Sequence, residues 1–339
     1  MADATSKVGL LTSSRLGISK GLLTVLISTV ALVGLSAVLA PSAISQGAVL
    51  SMLPFAAVLA IVGLGQMLVV QQGGIDLSLP GSVSLAVVIV THMPNENDAL
   101  LLPAVLVAFA WAIGAGILNG FMVGRLGLNP IIATLGTNAL LFGAVLGISG
   151  GIPRTTTRLL SQIAGGSTLG VPHAALFALV FLAIVSVMVK KTVVGRRFEA
   201  VGASPAAARA TGLHYRTHRG AAYVWAQLLF ASAGMLLAGI TNQPTAFQGN
   251  SYLLTSVAVV VLGGTSLLGG RGFPAATVMA ALFLSQLDQF VLALGVPFAV
   301  RTLVQAAALA IGVAIYTVDW TALRQRFARA ATETAAATP

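Results

Sequence analysis

The sequence predicts an all-α polytopic membrane protein of about ten transmembrane helices. Three observations carry that prediction. Of 339 residues, 57% are apolar and only 8% are charged, whereas a soluble domain carries about 25% charged residues. The apolar residues gather into runs, most of them near the ~20 residues a helix needs to cross the hydrocarbon. The basic residues sit mostly in short stretches between those runs, where they set orientation in the membrane.

Residues 1–20 are polar, carry Lys7, Arg15 and Lys20, and are read as a cytoplasmic tail. The run at 21–40 ends before Pro41 in small residues that look like a signal-peptide cleavage region. A signal core is about 7–15 residues long. This run is longer, so an uncleaved first span is expected. Further spans are expected at 48–71, 79–93, 99–122, 129–149, 172–189, 220–240, 253–267, 273–294 and 300–318, followed by a cytoplasmic tail at 319–339. The span region is thus 21–318. Its third and eighth spans are short, as broken helices beside a transporter's substrate path often are.

The stretch 91–100 holds Glu96 and Asp98 without Lys or Arg and falls outside; Arg125, Arg271 and the tail arginines fall inside. Arg154 and Arg158 fall outside, against the rule but outnumbered. The even count puts both termini in the cytoplasm. The net charge of +10 is therefore an orientation signal for a lipid bilayer. No basic face with interleaved aromatics exists, so nucleic acid is not an expected partner. The absence of cysteine excludes disulfides and thiol chemistry.

The loop 190–219 holds seven of the eighteen basic residues. Ser204 and Pro205 read as an N-cap and a first-turn proline. The alanine-rich helix Ala206–Leu213 that follows stops at Gly212. Glu199–Gly202 adds another helical turn. Small cytoplasmic helices suit docking into a partner's groove; the alternative is an ordinary connection between spans. Two glycine pairs form a weak internal echo, GGIDLS from Gly73-Gly74 and GGTSLL from Gly263-Gly264. The alternative is two unrelated helix ends.

Within the spans, Asp76 is expected to cap the helix after it, with direct contact to solute or partner as the alternative. Thr134, Thr137 and Asn138 share one helical face. They are read either as glue between helices or, with Gln66, as the wall of a substrate path. Asp288 and Arg301 face each other across a short outer connection, as an ion pair or as a contact for a delivered partner. His214 and His218 stand four apart, but no Glu or Cys accompanies them as a metal site would require. No G-x-x-x-x-G-K-[ST] and no nucleophile elbow occurs. The chain is therefore expected to be no enzyme, to hold no cofactor and to bind no metal.

Four ordered stretches carry a resemblance. They are GQMLVVQQGGIDLS at 65–78, NPIIATLGTNALLFGAVLGISGG at 129–151, GRRFEAVGASPAAARATGL at 195–213 and AVVVLGGTSLLGGRG at 258–272. Together they resemble the inner-membrane permeases of ABC importers for ribose, xylose, galactose and similar sugars, the carbohydrate uptake class 2 group with a type II permease fold. One departure is the extra residue in Leu79-Pro80-Gly81-Ser82. The resemblance implies a bacterial inner-membrane protein that works as two permease copies on two ATPase subunits. ATP and Mg²⁺ would lie on those partners, and a periplasmic binding protein would deliver a sugar. It further implies alternating access driven through Glu199, Ala200, Gly202, Ala207, Arg209 and Gly212, with Gly73, Gly74, Asp76, Gly263 and Gly264 as structural or gating positions. The competing expectation is an ion-coupled secondary transporter. Such proteins bury charged relays at mid-membrane, whereas the acids here lie near span ends.

Overall fold

The computed structural model describes residues 19–297 together with 299–300, 302–304, 306–307 and 310. Most of the predicted tenth span, both tails (apart from Ser19 and Lys20) and Arg301 lie outside the described residues. The helices are α1 (Lys20–Leu39), α2 (Gln46–Gln71), α3 (Leu79–His92), α4 (Leu101–Gly120), α5 (Pro130–Ser149) and α6 (Arg158–Gly165), then α7 (His173–Lys191), α8 (Val193–Ala203), α9 (Pro205–Ala210), α10 (Tyr215–Thr241), α11 (Tyr252–Leu262) and α12 (Pro274–Ala293). A π-helical turn, Phe121–Arg125, prolongs α4, and a two-stranded hairpin, Ser167–Thr168 with Val171–Pro172, precedes α7.

Among the described residues, seven helices are long and apolar enough to cross a membrane: α1, α2, α4, α5, α7, α10 and α12. Two of the ten expected spans, α3 and α11, are too short, with 14 and 11 residues. At ~1.5 Å per residue they reach about 21 Å and about 17 Å, against ~30 Å of hydrocarbon. Other boundaries also move. The helix after Ser204 ends at Ala210, earlier than Leu213. α8 is a full helix of 11 residues, nucleated by Thr192, whose hydroxyl accepts from the Gly195 amide. α10 starts at Tyr215, so Arg216 and Arg219 are helical. α11 stops at Leu262 because the glycine pair follows.

The core forms around α2 and α10. Every residue of α2 from Ala56 to Gln71 is buried, and α10 is buried on nearly all sides from Ala226 to Gly239. α10 packs against α2, α3 and α4. Along the α4–α10 seam, a methyl group at Gly116 or Gly120 would lie 2.6 or 2.7 Å from backbone atoms of Val224 or Gly220. Lipid tails are as apolar as side chains, so membrane helices associate through such close backbone approach.

The loops divide into two sets at opposite ends. At one end lie α8, α9, the turns after α2 and α11, and the start of α1, where a methyl at Gly21 would lie 2.6 Å from the Gly263 carbonyl oxygen. At the other end, Arg154 donates to Asn95 at 3.0 Å, the Leu159 amide to Asp98 at 2.8 Å and the Thr156 amide to the Asn242 carbonyl at 2.8 Å.

Candidate functional site at the arginine-rich end

The two glycine pairs build the same turn. After α2, the Gly73 amide donates to the Val70 carbonyl at 2.8 Å and the Gly74 amide to Val69 at 3.2 Å. After α11, the Gly264 amide donates to Val261 at 2.8 Å and the Thr265 amide to Val260 at 3.1 Å. This is the Schellman pattern. It needs a left-handed residue at its centre, supplied by Gly73 (φ +73°) and Gly264 (φ +84°). The backbone therefore equates Gly73 with Gly264. The sequence echo paired it with Gly263, one residue away.

The segments that follow meet, and α8 lies across them. The Gly270 amide donates to the Gln71 carbonyl at 3.0 Å, and Gln72 Nε2 donates to the Phe198 carbonyl at 2.8 Å. A methyl at Gly202 would overlap the Gln71 carbonyl oxygen, and one at Gly269 would lie 2.8 Å from the Gly202 carbonyl oxygen. The buried face of α8, Gly195, Phe198, Val201 and Gly202, recurs every three to four residues as a helix requires. Glu199 joins the same junction, 3.3 Å from Arg271 Nε and 3.7 Å from Lys190 Nζ.

The six expected coupling residues thus separate into two sets. Glu199 and Gly202 face the spans. Ala200, Ala207, Arg209 and Gly212 are exposed. Arg209 folds back, with Nε donating to the Pro205 carbonyl at 3.3 Å and its guanidinium 4.9 Å from the centre of the Tyr215 ring. Ser204 caps α9 by accepting from the Ala207 amide, and Gly212 takes φ +78°. His218 bonds the His214 carbonyl one turn back, and no group of three metal-ligating side chains occurs among the described residues.

A second cluster seals the start of α3. Asp76 Oδ1 accepts from the Ser78 amide at 2.9 Å and from the Ser78 hydroxyl, and Oδ2 accepts from Gln227 Nε2 at 3.0 Å. The Ser78 hydroxyl also accepts from Asn119 Nδ2 at 2.8 Å, and Asn119 Oδ1 accepts from the Thr137 hydroxyl at 2.6 Å. Thr134 accepts from the Leu77 amide at 2.9 Å and Asn138 from the Gly81 amide at 2.8 Å. The stretch 72–78 is irregular backbone within the protein, and such backbone is tolerated at membrane depth only when satisfied from within. The α5 face Thr134–Thr137–Asn138 is turned toward that task. Asn119 and Gln227 were missed in the sequence. Their only signal is an amide side chain inside an apolar run.

Gln66 and Gln71 are fully buried, and their amide groups have no hydrogen-bond partner among the described residues. A buried amide in that condition costs roughly 1–3 kcal/mol. Asp288 is half-buried on α12.

The comparisons with known proteins agree with this architecture. Residues 48–313 match a family described as the permease component of branched-chain amino acid transport systems. A probable ABC transporter permease of Sinorhizobium fredii is 34% identical over 76% of this chain and 77% of its own length. The ribose import permease of Escherichia coli K12 is 32% identical over 86% of this chain and 92% of its own length. The autoinducer 2 import permease of an Enterobacter species is 33% identical over 78% of each chain. No solved structure gave a significant match. With a family match over most of its length and relatives of this identity and coverage, the chain belongs to the permease components of bacterial ABC importers, in their carbohydrate uptake class 2 group.

Proposed function

We propose that this chain carries a sugar, or a similarly hydroxyl-rich neutral solute, across the bacterial inner membrane by alternating access. A separate ATPase closes on ATP, and the 190–219 loop passes that motion to the spans. Two copies of the permease form the transporter, and a periplasmic binding protein loads it from the end that carries Arg154 and Asn242. On this assignment the arginine-rich end and both termini are cytoplasmic, and residues 300–318 supply the last span. The carrying observation is the junction of α8 with both glycine turns. A push on the exposed side of α8–α9 moves Gly202 and Glu199. These in turn bear on the end of α2, which runs through the core, and on the end of α11, which packs against it. A conformational equilibrium shifts only through contacts that differ between its states, and in this reading the contacts of the junction are the ones that change.

The neutral solute class is favoured by the charges. Among the described residues, the acidic groups inside the spans are Asp76, enclosed in its own network, and Asp288. A zwitterionic amino acid would need charged partners in a desolvated path, whereas a sugar needs hydroxyls and amides. The unpartnered amide of Gln66 is of that kind, and it becomes a path group if the spans open. Uptake into proteoliposomes tests the proposal. Uptake should require ATP, the ATPase and the binding protein together. Uptake by the chain alone on a proton or sodium gradient would replace the proposal with an ion-coupled carrier.

A further inference from the structure

The segment between α10 and α11 has no role in the junction or in the Asp76 cluster. Asn242 sits at the end opposite the arginine-rich loop, where its carbonyl accepts from the Thr156 amide and its side chain from Ser161. Seven residues later, Gly249 lies against the first turn of α3. Its amide donates to the Ser84 hydroxyl at 3.0 Å, and a methyl there would overlap the Pro80 carbonyl oxygen. Pro80 is twelve residues before His92, the end of α3, or about 18 Å at ~1.5 Å per residue. Residues 242–247 therefore descend through about half the membrane without being a helix, and a 3₁₀ turn, Gln248–Ser251, leads on into α11. α11 covers the other half.

The descending stretch is exposed on one side. Pro244, Ala246 and Gly249 are buried, while Gln243, Thr245, Phe247, Asn250 and Ser251 are exposed. The alternation from Gln243 to Phe247 is that of an extended chain with two faces. Irregular backbone and polar side chains do not face lipid at this depth; they occur where protein covers them or where they line a water-filled cavity.

We propose that the exposed side of residues 243–251 is the wall of the aqueous solute path, with Asn250 and Ser251 as the solute-contacting groups at mid-membrane. This deepens the transport function proposed above and rests on it. The amide of Asn250 and the hydroxyl of Ser251 each donate and accept, as a hydroxyl-rich neutral solute requires. The ring of Phe247 adds an apolar face beside them. It is held edge-on by Phe142 of α5 at 5.5 Å between ring centres.

The chain has no cysteine, so single cysteines report cleanly. Asn250→Cys and Ser251→Cys are placed in the assembled transporter in liposomes, with Val180→Cys on the exposed face of α7 as the lipid-facing control. A charged, membrane-impermeant thiol reagent is then applied with and without ATP. The two path positions should react about tenfold or more faster than Val180→Cys, and their rates should change with nucleotide state. If both stay as unreactive as Val180→Cys in every state, the stretch is covered by protein, for example a second copy, and the proposal fails. ATP-dependent uptake by the same variants is measured in parallel. Uptake without reactivity overturns the path wall alone. Reactivity without any ATP-dependent uptake by the unmodified chain overturns the importer and leaves an aqueous wall.

Discussion

α3 and α11 are two versions of one device. Each is a partial span, each meets irregular backbone near mid-membrane, and α3 meets the turn before α11 where Gly249 packs on Pro80. They differ in how the irregular half is treated. Below α3 and in its first turn, the amides of Leu77, Ser78 and Gly81 are taken by Thr134, Asp76 and Asn138, and Asp76 is 0% exposed. Above α11, the residues from Asn242 to Ser251 leave polar side chains on the surface. The sealed half behaves as structure: its polar groups serve the backbone. The open half behaves as a working surface: Asn242 and Thr245 bond Ser161 and Gln248, while Gln243, Asn250 and Ser251 keep exposed side chains. Polar residues inside a membrane protein thus fall into two kinds, and the hydrogen-bond partners tell them apart.

Removing the centre of the sealed half should have the largest effect. Asp76→Ala leaves the Ser78 amide and hydroxyl without their acceptor, takes one of two acceptors from Gln227 Nε2, which keeps the Ser78 hydroxyl, and empties a buried site. The expected loss is on the order of 3 kcal/mol, read as a drop in thermal midpoint and in monodisperse yield in detergent. A variant as stable as the parent would mean that the network contributes little and that the two halves are alike. Next comes the point where the halves touch. Gly249→Ala forces a methyl into the Pro80 carbonyl, and overpacking of this kind costs about 1–3 kcal/mol. The same thermal measurement reads it. An unchanged midpoint would show that α11 slides on α3 without resistance. Smaller again is Thr134→Val. It keeps the shape and removes one acceptor, so the part-buried Leu77 amide is left unpaired at about 1–2 kcal/mol.

Much of this contrast was legible in the sequence, and the part that was not has a physical reason. The short third and eighth runs marked both broken spans, because apolar run length reports directly on how far a helix extends. Ser204-Pro205 and Gly212 marked α9, because caps are local. The glycine pairs were visible as an echo but aligned one residue off. A Schellman turn is defined by which amide bonds to which carbonyl, and letters do not record that. The α5 face was found, but its two readings stayed open, since Thr134, Thr137 and Asn138 look the same whether they face a backbone or a path. Asn119, which links that face to Ser78, and Gln227, which holds Asp76, are over 40 and about 150 residues from those partners. No local pattern predicts such pairs.

The smallest effect on stability is expected at Asn250, and it separates the two halves most sharply. Its side chain is exposed and supports no part of the sealed network. Asn250→Ala should therefore stay within about 0.5 kcal/mol of the parent, as surface substitutions away from special features do. The functional effect should run the other way. If Asn250 contacts the passing solute, its loss should lower ATP-driven uptake while the thermal midpoint and the assembly with the ATPase hold. Thr134→Val should give the opposite pattern, with a lower midpoint and uptake reduced only in proportion to folded protein. Measuring both variants for midpoint and for uptake per folded transporter yields a two-by-two comparison. A crossed result, stability lost at one and transport at the other, supports the division. Parallel losses at both positions would show that the stretch above α11 is as structural as the one below α3.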